Sequence, residues 1–163
     1  MARALLVGCG CRGRQLGRRL RADGWEVRGT TRDPERTGEI ERAGLDAVLA
    51  HPDRVGTVLD HVGDVTVIAW LLGSAVGDPE AVAAIHGRRL ERLLEELVDT
   101  PVRGFVYEAS GSVGESRLRA GAELALAAAE RWRIPVAVIE HDPADWRGWV
   151  DAGRTEIHSL LGA

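Results

Sequence analysis

The feature that most constrains this chain is the loop Gly8-Cys9-Gly10-Cys11-Arg12-Gly13, set directly behind the apolar run Ala4-Leu5-Leu6-Val7. A Gly-x-Gly-x-x-Gly pattern alone is a weak signal. Between a buried strand and a helix it acquires a physical meaning. The first glycine permits a sharp turn, the second lets a pyrophosphate approach the backbone, and the third lets helix and strand pack closely. The N-terminus of the helix then offers free N–H groups and the positive end of its dipole to phosphate. The alternative is a strand–turn–helix whose glycines serve only tightness. The context favours a dinucleotide site, with Gly8, Gly10, Cys11, Arg12 and Gly13 as its cofactor-binding residues.

The rest of the chain alternates short apolar runs with amphipathic ones. Strands are expected at Ala4–Val7, Glu26–Thr31, Asp46–Leu49, Val65–Leu72, Gly104–Glu108 and Pro135–Glu140. Helices are expected at Arg14–Ala22, Val55–Asp60, Ala81–Val98, the longest, and Ser116–Trp132. Three Asp-Pro pairs, at Asp33-Pro34, Asp78-Pro79 and Asp142-Pro143, read as helix starts, with Asp as N-cap and Pro in the first turn. Strict alternation of strand and helix implies an α/β fold, a doubly wound parallel sheet with right-handed crossovers. Six strands with the glycine loop after the first predict a Rossmann sheet in the order 3-2-1-4-5-6. The 163 residues suit a single domain, 1–163, closing with a short helical segment from about 143.

Composition narrows the classes of function. The chain is 45% hydrophobic and 28% charged, with a net charge of −4 and arginines interleaved with acids. That argues against a nucleic-acid surface. No apolar run is long enough for a bilayer, and the start of the chain lacks the three-part organisation of a signal peptide. The only cysteines, Cys9 and Cys11, are too close for an ordinary disulfide and have no second ligand pair for a metal, so the expected setting is reduced and cytoplasmic. There is no lysine: all 21 basic residues are arginine. Chemistry that needs a lysine amine is therefore excluded for this chain.

The end of the second strand bears on the cofactor. A ribose 2′-hydroxyl calls for an acid there, a 2′-phosphate for arginine. Here the strand ends in Thr31-Arg32, a hydroxyl and a guanidinium, and Asp33 is better explained as an N-cap. Arg12 is within reach of the same phosphate in this reading. The expected cofactor is NADP, with NAD the less favoured choice. The competing explanation is that both arginines are ordinary solvated side chains.

Leu6-Val7-Gly8-x-Gly10-x-x-Gly13-x-x-Leu16, followed by Gly24-Trp25-Glu26-Val27-Arg28-Gly29-Thr30-Thr31-Arg32-Asp33-Pro34, resembles the extended and atypical short-chain dehydrogenase/reductases. These include NAD(P)-dependent sugar epimerases and NADP-dependent reductases. Gly104-Phe105-Val106-Tyr107-Glu108-Ala109-Ser110-Gly111-Ser112-Val113-Gly114 is similar to the family's fifth strand and the serine-bearing loop behind it. The resemblance covers about residues 3 to 142. It implies Ser110 and Ser112 as catalytic candidates, and Trp70, Leu71 and Arg119 beside the cofactor.

The resemblance breaks at the catalytic pair. The family uses a Tyr with a Lys four residues later; here those positions are Glu115 and Arg119, with Glu123 at a common family acid. A carboxyl of pKa near ~4.3 does not replace a phenol near ~10, and arginine stays charged. Tyr107, the only tyrosine, lies inside the fifth strand and is expected to face the sheet packing. His86 and His141 stand at no spacing that marks them as partners of a serine. About twenty residues follow the sixth strand, so a substrate pocket is expected to be open or completed by another subunit, with Trp146 and Trp149 as candidates for a homodimer face and Trp132 as core. Two readings result. The first is a dinucleotide-binding module, sensor or partner subunit. The second is an NADP-dependent oxidoreductase or epimerase-like enzyme acting on a carbonyl or sugar, with Ser110, Ser112, Glu115 or His141 assisting.

Overall fold

The computed structural model describes residues 1–162. Six parallel strands form one sheet: β1 (Arg3–Val7), β2 (Glu26–Thr31), β3 (Asp46–Leu49), β4 (Val67–Trp70), β5 (Gly104–Glu108) and β6 (Val136–Ile139), in the spatial order 3-2-1-4-5-6. Seven α-helices connect them among the described residues: α1 (Cys11–Ala22), α2 (Thr37–Arg42), α3 (Val55–Leu59), α4 (Pro79–Ile85), α5 (Arg88–Glu96), α6 (Glu115–Trp132) and α7 (Trp146–Ser159). The Rossmann order expected from the sequence is the observed one.

The near-continuous apolar strands follow from burial on both faces. Residues alternate across the sheet. Leu5, Val7, Ile68, Trp70, Phe105 and Tyr107 face one core with helices α3 to α6. Ala4, Leu6, Val67, Ala69 and Val106 face a second core with α1, α2 and α7. Every residue of β4 is buried. Glycine permits close helix packing in the second core: a Cβ at Gly17 of α1 would lie 2.5 Å from a Leu45 methyl.

Two expected boundaries change. Helix α1 begins at Cys11 rather than Arg14, so the glycine loop is already part of the helix start. The single long helix expected over Ala81–Val98 is two helices, broken at His86-Gly87. The reason is tertiary. His86 is buried, with Nε2 2.9 Å from the Leu72 carbonyl and Nδ1 2.7 Å from the Tyr107 hydroxyl. The carbonyl can only accept, so Nε2 donates to it and Nδ1 accepts from the phenol. Burial holds His86 below its ordinary pKa, which keeps that neutral form. At the same break Trp70 Nε1 donates to the Ile85 carbonyl at 3.0 Å.

Candidate functional site

The C-terminal ends of the parallel strands share one edge of the sheet, and the switch point lies between β1 and β4. Gly8 ends β1 with φ +83°, a region that favours glycine, and a Cβ there would sit 2.6 Å from the Leu71 carbonyl oxygen. Its N–H donates to Thr30 Oγ1 at 3.1 Å, and the next N–H, of Cys9, donates to the Thr30 carbonyl at 3.0 Å. Beside Thr30, Gly29 leaves the space that Cys9 fills: a Cβ there would be 2.7 Å from the sulfur. Burial pushes the Cys9 thiol up to about 12, so it is an inert packing group. Sequence reasoning missed Thr30 and Gly29 as loop supports; the apposition of Gly-Thr in β2 with the loop appears only once the strands pair.

Gly10 is the N-cap of α1 and supplies no side-chain cap, and the first turn carries no acid. A Cβ added to Gly10 would meet nothing within 4 Å. Cys11 is exposed beside it. The first turn of α1 therefore has no side-chain cap, and the space beside Gly10 is open, as binding of a phosphate there requires. Gly13 differs from its expected role. A Cβ there would make only ordinary contacts, 3.6 Å to Leu71 Cδ1 and to Cys9 Sγ, and it is Gly17 that needs the missing side chain. Leu71 does border the loop, through its carbonyl at Gly8 and its side chain at Gly13.

At the end of β2, Thr31 Oγ1 accepts from the Asp33 N–H at 3.1 Å, and Asp33 caps the turn that follows, as expected, by accepting from the Glu35 N–H at 2.9 Å. Arg32 is exposed, and its Nη2 donates to the Val76 carbonyl at 3.4 Å, in the loop after β4. Its guanidinium thus spans from the β2 end toward the β4 end. Arg12 does not join it, which corrects the expectation of a shared phosphate. Its guanidinium carbon lies 5.9 Å from the centre of the Trp149 ring, on the side of α7 and β5.

From there the charge of Arg12 acts on Glu108, the last residue of β5. Glu108 is 2% exposed, and its Oε1 accepts from the Gly73 N–H at 2.7 Å. Burial raises its pKa, opposed by the Gly73 N–H, the Arg12 charge and the Trp149 indole. Arg12 Nε, Glu108 Oε2 and Trp149 Nε1 are all buried, and none has a well-formed hydrogen bond. The resemblance gave no reason to single out Glu108.

Several expected site residues are placed elsewhere. Trp70 is fully buried and held by its bond to Ile85, so it is a core residue and not a wall of the cofactor site. Trp149 is 1% exposed beneath α1, so it cannot share a dimer face with the exposed Trp146. Trp132 packs on the first core, with Arg131 4.8 Å from its ring centre. Glu115 and Arg119 pair with each other at 2.6 Å on the exposed face of α6. Ser110 is half-buried; its carbonyl would lie 2.2 Å from a Cβ at Gly73, which ties the loops after β4 and β5 together. Ser112 is exposed, and its N–H donates to Ser74 Oγ at 3.2 Å. Tyr107 is fully buried, as expected; a Cβ at Gly121 would collide with its hydroxyl. An open cavity of about 570 Å³ lies between α4 and the start of α6, lined by His86, Val113, Glu115 and Arg117 among others. A second of about 440 Å³ shares Val113 and Arg117 with it. Among the described residues no group of His, Cys, Asp or Glu is arranged to hold a metal, and no helix is long and apolar enough to cross a membrane.

Solved structures place this architecture. A putative short-chain dehydrogenase/reductase from Corynebacterium glutamicum superposes with a TM-score of 0.73 at 19% identity, over 94% of this chain and 90% of that one. The chain shares the Rossmann fold of that protein. A short-chain dehydrogenase/reductase superfamily protein from Agrobacterium tumefaciens with bound NAD matches at a TM-score of 0.68 and 20% identity, over 83% of this chain and 48% of that one. UDP-glucuronic acid 4-epimerase from Bacillus cereus, in complex with NAD, matches at 0.64 and 16%, over 87% and 60%. The chain thus spans about half the length of the Agrobacterium protein and 60% of the epimerase. No family model and no curated protein matches the sequence.

Proposed function

We propose that this chain is an NADP(H)-binding Rossmann protein whose first task is to hold the dinucleotide, as a module, sensor or partner subunit. The observation that carries this reading is the open, uncapped start of α1 at Gly10, behind a loop clamped by Thr30. The pyrophosphate would rest on the N–H groups of that turn, with Gly8, Cys11, Gly13 and Leu71 around it. The adenosine half would lie toward β2, where Thr31 and the exposed Arg32 suit a 2′-phosphate. Two of the structural neighbours are described with NAD, which supports a nicotinamide dinucleotide; the preference for NADP rests on Arg32 alone.

The test is titration calorimetry with NADPH and NADH. Micromolar binding with NADPH preferred is the expected result, and binding of neither overturns the reading. Arg32→Ala should weaken NADPH more than NADH; an equal loss removes the phosphate role.

The second reading is an NADP-dependent oxidoreductase or epimerase-like enzyme acting on a carbonyl or sugar. The two cavities flanking Arg117 offer substrate space close to Ser112, and Ser110 lies in the same loop. The paired Glu115 and Arg119 would not supply the family's proton transfer, so the enzyme reading needs another donor.

A further inference from the structure

The two cavities lie on the α4 and α6 side of the sheet, where the loops after β4 and β5 meet. Those loops are tied to each other. The Gly73 N–H donates to Glu108 Oε1 at 2.7 Å, and the Gly73 carbonyl accepts from the Val113 N–H at 3.0 Å. Ser74 Oγ accepts from the Ser112 N–H at 3.2 Å. The approach needs glycine on both sides: a Cβ at Gly73 would collide with the Ser110 carbonyl, and one at Gly111, where φ is +146°, with the Gly73 carbonyl. The wall that carries Ser112 and Val113 is thereby held in place.

Arg117, in the first turn of α6, lines both cavities and is the only arginine that lines either. Among the described residues no acid is paired with it. The one acid in the lining, Glu115, is already held by Arg119 at 2.6 Å. His86 lines the inner wall and is kept neutral, by burial first and then by the charge of Arg117, against the hydrogen bond to Leu72. Arginine in a first turn also opposes the helix dipole, so local stability does not account for it. Much of the remaining lining is small and apolar: Ala75, Pro79, Val82, Ala83, Val113 and Ala120. A guanidinium without a carboxylate partner, set over apolar walls, is suited to an oxyanion that brings an apolar body.

We propose that these cavities bind a small carboxylate with an apolar body, the carboxylate on the Arg117 guanidinium and the body against Val82, Ala83 and Val113. The planar fork of the guanidinium matches a carboxylate through two parallel hydrogen bonds. One guanidinium also balances one negative charge. A phosphate monoester brings about two at neutral pH, and the second would face Glu115. Ser112, whose hydroxyl borders the second cavity, adds a polar group on the same side as Arg117. As a ligand class this deepens the second reading above, on which any role of the carboxylate as substrate rests. Binding itself needs no dinucleotide.

The experiment uses the full chain. Amide-labelled protein is titrated with sodium benzoate in the absence of dinucleotide, and the amides of Ser112, Val113 and Arg117 are followed by NMR. Saturable shifts centred on these amides are expected. Benzamide, the neutral isostere, should bind at least tenfold more weakly, and phenyl phosphate should also bind more weakly than benzoate. R117Q should lose at least tenfold in benzoate affinity with its unfolding midpoint unchanged, because Arg117 is exposed. R119Q, on the same helix and already paired with Glu115, should keep wild-type affinity. The proposal is overturned by any of four results: no saturable shift at the cavity, equal affinity for benzamide, full affinity in R117Q, or an equal loss in R119Q. Tighter binding of phenyl phosphate overturns the assignment to a carboxylate. NADPH titrated into the same protein is read separately at the Gly10 amide. A shift there with none from benzoate at the cavity overturns the proposal and leaves the dinucleotide reading standing; the converse result does the reverse.

Discussion

The two halves of the sheet edge have been treated differently. Around β1 and β2 the features expected of the glycine loop are present: Gly8 in its left-handed turn, Gly10 open and Thr30 clamping, with Arg32 exposed at the end of β2. Around β4 to β6, the resemblance expects a catalytic apparatus, and the positions carry other work. Trp70 fills the core, Glu115 and Arg119 pair with each other in solvent, and Arg12 lies against Trp149 with its charge acting on Glu108. The glycine loop and the positions where the resemblance expects catalysis lie on separate halves of the sheet, so the sequence of one can be kept while that of the other changes.

The largest test of this contrast is Trp149→Ala. The indole is buried between α1 and the end of β5, so its removal should destabilise the chain by about 3–5 kcal/mol in denaturant unfolding. A loss below ~1 kcal/mol would return Trp149 to the surface role suggested by sequence. Next is Gly8→Ala. Left-handed backbone and the contact with Leu71 together should cost about 2–3 kcal/mol and abolish NADPH binding in calorimetry. Retained affinity would separate the loop from the cofactor.

Trp70→Phe sharpens the opposite half. It leaves the buried Ile85 carbonyl without its donor, and stability should fall by about 1–2 kcal/mol with NADPH affinity unchanged. A large loss of affinity would restore Trp70 to the site. Glu108 gives a pH signature. Its pKa is raised above the ordinary 4.5 in the folded chain, so the folded state holds the proton more tightly than the unfolded one. Its contribution is full below pH 4.5 and is lost as pH rises through the folded value. Unfolding midpoints of the wild type should decline over that interval, and Glu108→Gln should decline less. The smallest effect belongs to Glu115→Ala. The pair with Arg119 is exposed, so stability should change by no more than about 0.5 kcal/mol and affinity not at all.

The strand order, the glycine loop and the Asp33 cap were legible because each rests on local signals: apolar runs, glycine spacing and N-cap chemistry. The helix break at His86 was not, because its cause is two partners, Leu72 and Tyr107, that lie 14 and 21 residues away in sequence. The loop support by Thr30 was hidden for the same reason. His141 was visible as a residue, but Asp142 drew attention as the cap; Asp145 instead caps α7, accepting from the Gly148 N–H at 3.3 Å, and its pairing with His141 at 2.8 Å required the turn.

What the sequence determined by itself is the architecture: periodicity and turn chemistry leave few ways to arrange six buried strands with helices on both faces. It also determined one exclusion, since a chain without lysine cannot carry the usual pair. Only the tertiary structure decided where the side chains point. Arg12 lies against the Trp149 ring, where its charge acts on the buried carboxyl of Glu108, and not with Arg32 at the end of β2. Gly148 likewise reads in sequence as a weak point in a helix, and in the fold it is the space that His141 and Asp145 share.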